Sequence, residues 1–229
     1  MADAPEALGD VLEALNRALQ NSIASGDDPT AGHELIPLSF SLNYVEDMDC
    51  DECHYRMNQQ TNTNFFHLIF PAQLTEVMNK SSQRLTPEAM LKEAYARESR
   101  ECPRCKTGHD MPFTCERSLQ TCPSVFSLVL AWASPQASDK DIGALFKQLP
   151  LTLDLSEVFT GLHGPQRYRL RCMVCFFGQH YVLLAYKPRV RQWVKYDDTS
   201  VKAVGDWAQV IKVCIAGRFQ PNVVFFERC

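Results

Sequence analysis

Residues 171–198 read RCMVCFFGQHYVLLAYKPRVRQWVKYDD, apolar runs interrupted at Gly178-Gln179 and again at Lys187-Pro188-Arg189-Val190. Their apolar and aromatic content and the turn signals between them predict successive strands over Tyr168–Phe176, His180–Tyr186 and Gln192–Tyr196. If Lys187-Pro188-Arg189-Val190 closes a hairpin, Tyr186 faces Arg191 and, carried outward, His180 faces Asp197. Directly opposed residues share a face of the sheet with Cβ atoms roughly 5 Å apart, near enough for a carboxylate to hold an imidazole nitrogen. That is the base-and-orienter half of a catalytic triad. An ordinary structural cross-strand hydrogen bond near a turn has the same signature, and the pair alone leaves both readings open. Asp198 points to the other face unless the strand ends or bulges there, and is an auxiliary candidate for positioning water or polarising the site.

Working outward, a closing strand is expected at Asn222–Phe226, after a helix over Asp206–Ala216 with Trp207, Val210, Ile211 and Cys214 inward and Gly217 as its stop. Upstream, Phe113–Leu119 and Val125–Ala133 read as strands. Ser138–Gln148 reads as a helix with capping-box spacing at Ser138 and Asp141 and a face of Ile142, Leu145 and Phe146. A further helix is capped by Thr86 and opened by Pro87, with Leu91, Ala94 and Tyr95 on one side. It follows the apolar run Phe65–Phe70, and Ile36–Met48 is strand-like. Asp3–Ser22 is amphipathic, with Pro5 in its first turn and a stripe of Leu8, Val11, Leu12, Leu15 and Leu19 that must pack on something. Asn21–Gly32 reads as a loop.

The chain has 229 residues, 45% of them hydrophobic, enough for a sizeable core in one domain with subdomains. A formal net charge of −4 leaves no broad basic field for nucleic acid or an anionic membrane. The longest apolar run, Ser124–Ala133, is too short to span a bilayer. Asp3, Glu6 and Asp10 stand where a secretory signal needs basic and apolar residues, so an intracellular protein is expected.

Ten cysteines in such a chain favour metal over disulfides. Cys50-Asp51-Glu52-Cys53 and Cys102-Pro103-Arg104-Cys105 each place two thiols at the spacing that lets a tight turn aim both sulfurs at one ion. Together they make a four-cysteine site for a structural zinc, at the tips of two adjacent hairpins; unmetallated thiols are the alternative. His54 and His109 could each replace a cysteine, though their offsets fit less well. Cys172-Met173-Val174-Cys175 has the same form but lies in a strand, where residues three apart point to opposite faces. Buried thiols are expected there, as at Cys115, Cys122 and Cys214.

With Gly178-Gln179-His180-Tyr181, Trp193-Val194-Lys195-Tyr196-Asp197-Asp198, Val201 and a closing apolar strand, Arg171–Phe226 resembles the histidine box of ubiquitin-specific proteases. The two cysteine pairs lie upstream, as that family's zinc-binding fingers do, and Asp3-Ala4-Pro5-Glu6-Ala7-Leu8 resembles its Asp-Ala-x-Glu-Phe-Leu helix start. The turn is most similar to that of members regarded as inactive. The resemblance implies an α+β, papain-like cysteine-protease hand: a truncated helical thumb at 1–32, zinc-bearing fingers at 33–133 and an antiparallel palm at 134–229. It further implies His180 as general base, Asp197 as its orienting carboxylate, and ubiquitin or ubiquitinated proteins as partners. The family's nucleophilic cysteine sits in an Asn-x-Gly-Asn-x-Cys box ahead of the Asp-Ala-x-Glu helix, and none of the ten cysteines here lies in such a box. The chain as it stands is therefore expected to be inactive. The alternatives are a ubiquitin-binding or scaffold pseudoenzyme, or a zinc-stabilised interaction module.

Overall fold

The strands read at residues 171–198 lie near the middle of the larger of two sheets. The computed structural model describes residues 4–24, 39–57, 59–100, 102–105 and 111–229. In chain order the elements are α1 (Ala4–Ala24), β1 (Leu42–Cys50), β2 (Gln60–Asn64), β3 (His67–Ile69), α2 (Pro71–Lys80) and α3 (Pro87–Ala96). There follow β4 (Arg97–Arg100), β5 (Met111–Thr121), β6 (Val125–Leu130), α4 (Asp139–Gln148), β7 (Thr152–Asp154) and α5 (Leu155–Val158). The last are β8 (Arg167–Phe177), β9 (His180–Lys187), β10 (Gln192–Asp197), β11 (Ser200–Gly205), α6 (Trp207–Gly217) and β12 (Gln220–Arg228).

The smaller sheet has the order β2-β1-β5-β4 and is antiparallel throughout. The larger runs β11-β10-β9-β8-β12-β6-β3, with β7 pairing β8 off that path. Among the described residues its one parallel strand pair is β3 with β6, both from the 33–133 stretch. This is the α+β class expected, with antiparallel pairing dominant.

Helices α2, α3, α4 and α6 cover the larger sheet because each presents one apolar face. The main core gathers Phe126, Ile142, Leu145, Phe159, Tyr168 and Phe226, all at most 2% exposed. Local chemistry fixes the helix starts. Thr86 Oγ1 accepts from Ala89 N at 3.1 Å, and Ser138 Oγ accepts from Asp141 N at 3.1 Å. Asp206 and Gln209 form a reciprocal capping box at α6.

Three expectations are corrected. The hairpin between β9 and β10 pairs Lys187 with Gln192 and Tyr186 with Trp193, so its turn is Pro188–Arg191 rather than Lys187–Val190. Arg191 takes the left-handed conformation, φ 50°, which lets the turn close one residue later on each side than assumed. The left-handed residue that caps α6 is Arg218, φ 51°, and not Gly217, which is the last helical residue. Gly217 is needed for space: a Cβ there would lie 2.8 Å from a Phe219 ring carbon. Finally, α2 was not anticipated, although Pro71 at its first position is a start signal.

Helix α1 places Leu12 in the interior at 4% exposure, and Ala4 N donates to Tyr181 Oη at 3.1 Å. Val11 and Leu15 of its apolar stripe remain 55% and 46% exposed. Asn21–Ala24 belong to α1 rather than to the loop expected from Asn21, while residues 25–32 of that loop, the side chain of Leu19 and His109 lie outside the described residues.

Two buried polar features sit where the sheets meet. Glu46 Oε1 accepts from Arg117 Nε at 2.8 Å, the side chains being 5% and 10% exposed, and the guanidinium lies over the Tyr95 ring at 4.8 Å. His67, on β3, is 5% exposed among Tyr95, Phe126 and Phe159, with ring centroids 5.0, 6.2 and 5.6 Å away. Its Nε2 finds no hydrogen-bond partner among the described residues. Burial, helped by the charge of Arg117, lowers its pKa from 6.5 to about 3.

Candidate functional site

At the other end of β9 from the Pro188–Arg191 turn, Gly178 and Gln179 form a two-residue loop, and Phe177 pairs with His180. Gly178 has φ 63°, as the tight primed turns of such hairpins require of a glycine. The loop sets His180 at the first position of β9, with its imidazole edge-on to Phe177 at 5.8 Å. Phe177 in turn meets Phe219 edge-on at 5.4 Å, giving the histidine an apolar footing.

His180 Nε2 lies 3.3 Å from Asp197 Oδ1. The register that would set them directly opposite is displaced by two residues, yet the two groups still meet. A two-residue displacement leaves every side chain on its own face, because strands alternate with period two, and diagonal neighbours stay within reach of long side chains. Asp197 is the last residue of β10, pairs with Ser200 on β11, and is followed by Asp198 at φ 49°. The strand therefore ends where Asp198 could leave its alternation.

Lys195, two residues before Asp197 and on the same face, donates from Nζ to Asp197 Oδ2 at 2.8 Å and rests over the Phe219 ring at 4.9 Å. The Lys195 hydrogen bond is the first cause holding the Asp197 carboxyl below its ordinary pKa; desolvation opposes it, and His180 adds to it. The carboxylate is thus ionised and shared between an ammonium and an imidazole. Nε2 is the imidazole nitrogen that stands nearest the carboxylate. Sequence reading missed Lys195, although its period-two spacing from Asp197 was a usable signal.

The second constellation lies at the far end of the smaller sheet. Cys50 ends β1, and the chain turns back through residues 51–54: His54 N donates to Cys50 O at 2.9 Å and Cys50 N to Tyr55 O at 3.0 Å. Thr114 Oγ1 ties this turn to β5 through Asp51 Oδ1 at 2.8 Å. The sulfurs of Cys50, Cys53, Cys102 and Cys105 all lie within 4.8 Å of one another. The closest contacts are Cys50 to Cys105 at 3.8 Å and Cys53 to Cys102 at 3.7 Å. A tetrahedron of sulfurs about 2.3 Å from a metal has edges of about 3.8 Å, so the spacing suits an ion and far exceeds a disulfide. Burial acts to raise the Cys102 thiol, but hydrogen bonds from the Cys105 and Arg104 backbones and from Cys50 and Cys53 bring it down to about 7. Met48, Phe113 and Cys115 pack behind the cluster as a small second core. His54 is exposed and stands outside the set of four.

Burial disfavours the thiolate at Cys122, Cys172 and Cys175. Cys175 and Cys214 are fully buried, and burial followed by the Cys214 thiol pushes Cys175 well up. Burial raises Cys172 to about 11 and raises Cys122. Cys115 Sγ donates to Glu46 Oε1 at 3.5 Å. Among the described residues no cysteine sulfur is hydrogen-bonded to His180.

The model of the ubiquitin carboxyl-terminal hydrolase family matches residues 1–222. Human Ubiquitin carboxyl-terminal hydrolase 53 is 26% identical over 235 residues, covering 99% of this chain and 22% of that protein. Ubiquitin carboxyl-terminal hydrolase 54 of Rattus norvegicus is 23% identical over 238 residues, covering 99% and 15%. The chain thus spans less than a quarter of these relatives. Among solved structures, a chain of the SAGA Ubp8/Sgf11/Sus1/Sgf73 DUB module bound to ubiquitin aldehyde superposes with a TM-score of 0.62 at 15% identity, over 100% of this chain and 50% of that one. The Neurospora crassa Pan2 catalytic unit gives 0.52 at 15% identity, over 92% and 37%. At these identities the likeness is one of fold.

Proposed function

Because the chain belongs to the ubiquitin carboxyl-terminal hydrolase family, we propose that it forms the fingers and palm of a ubiquitin-specific protease domain, which engages ubiquitin for cysteine-type isopeptide hydrolysis. His180 is the base and Asp197 the carboxylate that orients it. The observation that carries this reading is the 3.3 Å contact between His180 and Asp197, maintained across the open end of the β9–β10 pair. Asp198 is an auxiliary candidate. Residues 1–32 are the thumb remnant, 33–133 carry the fingers, and 134–229 form the palm, which β3 and β6 join from the fingers stretch. Zinc is the metal best suited to four thiolates at this spacing; with no coordination position open, it would tie the two turns together structurally. The partners are ubiquitin or ubiquitinated proteins inside the cell. No described helix is long and apolar enough to cross a membrane.

One observation favours a second reading. No described cysteine sulfur stands on His180, so this chain by itself would bind ubiquitin without cleaving it, as a pseudoenzyme or scaffold does. Two measurements on the purified, zinc-loaded chain decide. Excess ubiquitin should shift backbone amide resonances of both sheets, and an unchanged spectrum removes ubiquitin recognition. A fluorogenic ubiquitin substrate should remain uncleaved; turnover lost in His180→Ala would instead make the chain an enzyme as it stands.

A further inference from the structure

A cleft opens on the larger sheet, away from His180. It has a volume of about 400 Å³ and lies where β7, the Pro188–Arg191 turn and the start of α6 converge. Its floor is aromatic. Trp193, 3% exposed, stands between Tyr186 at 5.7 Å and Trp207 at 5.2 Å, and Phe146 supports Trp207 from behind at 5.6 Å. Leu151, 41% exposed, forms an apolar lip. Two exposed arginines, Arg169 on β8 and Arg191 in the turn, line the cleft.

The local charge balance is positive. Asp206 is the acidic residue lining the cleft, and its carboxylate is engaged as the α6 cap, accepting from Gln209 N at 2.9 Å. Glu227 on β12, which pairs with Arg169 on β8, accepts at Oε2 from Arg171 Nε at 2.5 Å. Two guanidinium groups thus rim an aromatic floor in a chain whose formal net charge is −4. Tyr186 lies six residues along β9 from His180, roughly 20 Å at the usual rise per residue, so an occupant here need not cover the histidine.

We propose that this cleft is a docking site for an acidic peptide segment bearing one bulky apolar side chain. The anchor would lie on Tyr186, Trp193 and Trp207, and the flanking carboxylates would pair with the guanidinium groups of Arg169 and Arg191. Arginine is well suited to this use, because its planar fork meets carboxylates bidentately and stacks on rings. Docking here would give the protein a tether for a protein partner that leaves the His180 face open.

The chain's three tryptophans make the test direct, since two line the cleft and Trp132 does not. The Trp132 indole is committed to Pro221 O at 2.6 Å and serves as an internal reference. The zinc-loaded chain, isotopically labelled, is titrated to millimolar concentration with acetylated Glu-Glu-Phe-Glu-Glu and separately with Lys-Lys-Phe-Lys-Lys. The acidic peptide should move the Trp193 and Trp207 indole signals and leave Trp132 in place, while the basic peptide moves none. Arg169→Glu with Arg191→Glu, two exposed changes whose folding is checked by circular dichroism, should weaken binding at least about tenfold, since two close charge pairs are each reversed. Stationary Trp193 and Trp207 signals, equal binding of the basic peptide, or undiminished binding by the charge-reversed chain would each overturn the proposal.

Discussion

His67 should make the fold acid-sensitive. Its folded-state pKa of about 3 lies below the ordinary 6.5, so between those values the unfolded chain binds the extra proton and the folded chain does not. The stabilisation from keeping His67 neutral is complete above pH 6.5 and is lost as pH falls toward 3. One pKa unit is worth about 1.36 kcal/mol, so the full window amounts to about 5 kcal/mol while the native packing lasts. Lowering pH from about 7.5 to about 5 draws on about 2 kcal/mol of it, a fall in melting temperature of roughly 4–8 °C for a chain this size. His67→Leu keeps the volume close and removes the titration, and with Nε2 lacking a partner no hydrogen bond at that atom is forfeited. Denaturant unfolding of both proteins at the two pH values isolates the effect, since every other titrating group is common to both. The wild-type chain should lose about 2 kcal/mol more than the variant. Parallel losses would refute the assignment of a neutral, caged imidazole.

Three other outcomes are expected. Arg117→Met leaves the Glu46 carboxylate buried without its guanidinium and should destabilise the chain by about 3–5 kcal/mol, whereas adding Glu46→Gln should recover part of that loss in the same denaturation assay. Cys102→Ser or a strong chelator should release about one equivalent of zinc, read with a chromophoric indicator, and should perturb residues near Met48 and Phe113 while sparing the large core. Gly205→Ala should cost about 1–3 kcal/mol, because Gly205 has φ 113° and a Cβ there would overlap the Gln209 carboxamide that caps α6.

How much of this was legible in the sequence depends on the range over which each signal acts. The two cysteine pairs were readable because spacing within a turn is local, and the structure does bring their four sulfurs together. The helices at Pro87 and Asp139 announced themselves through Thr86 and Ser138, whose side chains cap them as expected. The meeting of His180 and Asp197 survived a wrong turn assignment because period-two alternation preserves the face when register slips by an even number. The turn itself was not readable: Arg191 in the left-handed region is a tertiary choice that few non-glycine sequences advertise. The same holds for Gly217, whose lack of a side chain answers the Phe219 ring rather than the backbone. Helix α2 was hidden because its apolar residues, with Pro71 and Leu74 buried, are too few to outweigh the preceding strand-like run. The His67 cage could not be read at all, since Tyr95, Phe126 and Phe159 converge on it from separate elements.

The position of β12 bears on how the molecule is made. It lies between β8 and β6, yet follows both in chain order. During synthesis the β6–β3 pair and the β8–β11 block must therefore each wait with an open edge until residues 220–228 leave the ribosome. Until then, neither can complete its hydrogen-bonding ladder, and a chaperone or a slow translation step there would guard two exposed strands from foreign pairing. A chain stopped just before residue 220 would be left with two half-sheets and no shared seam.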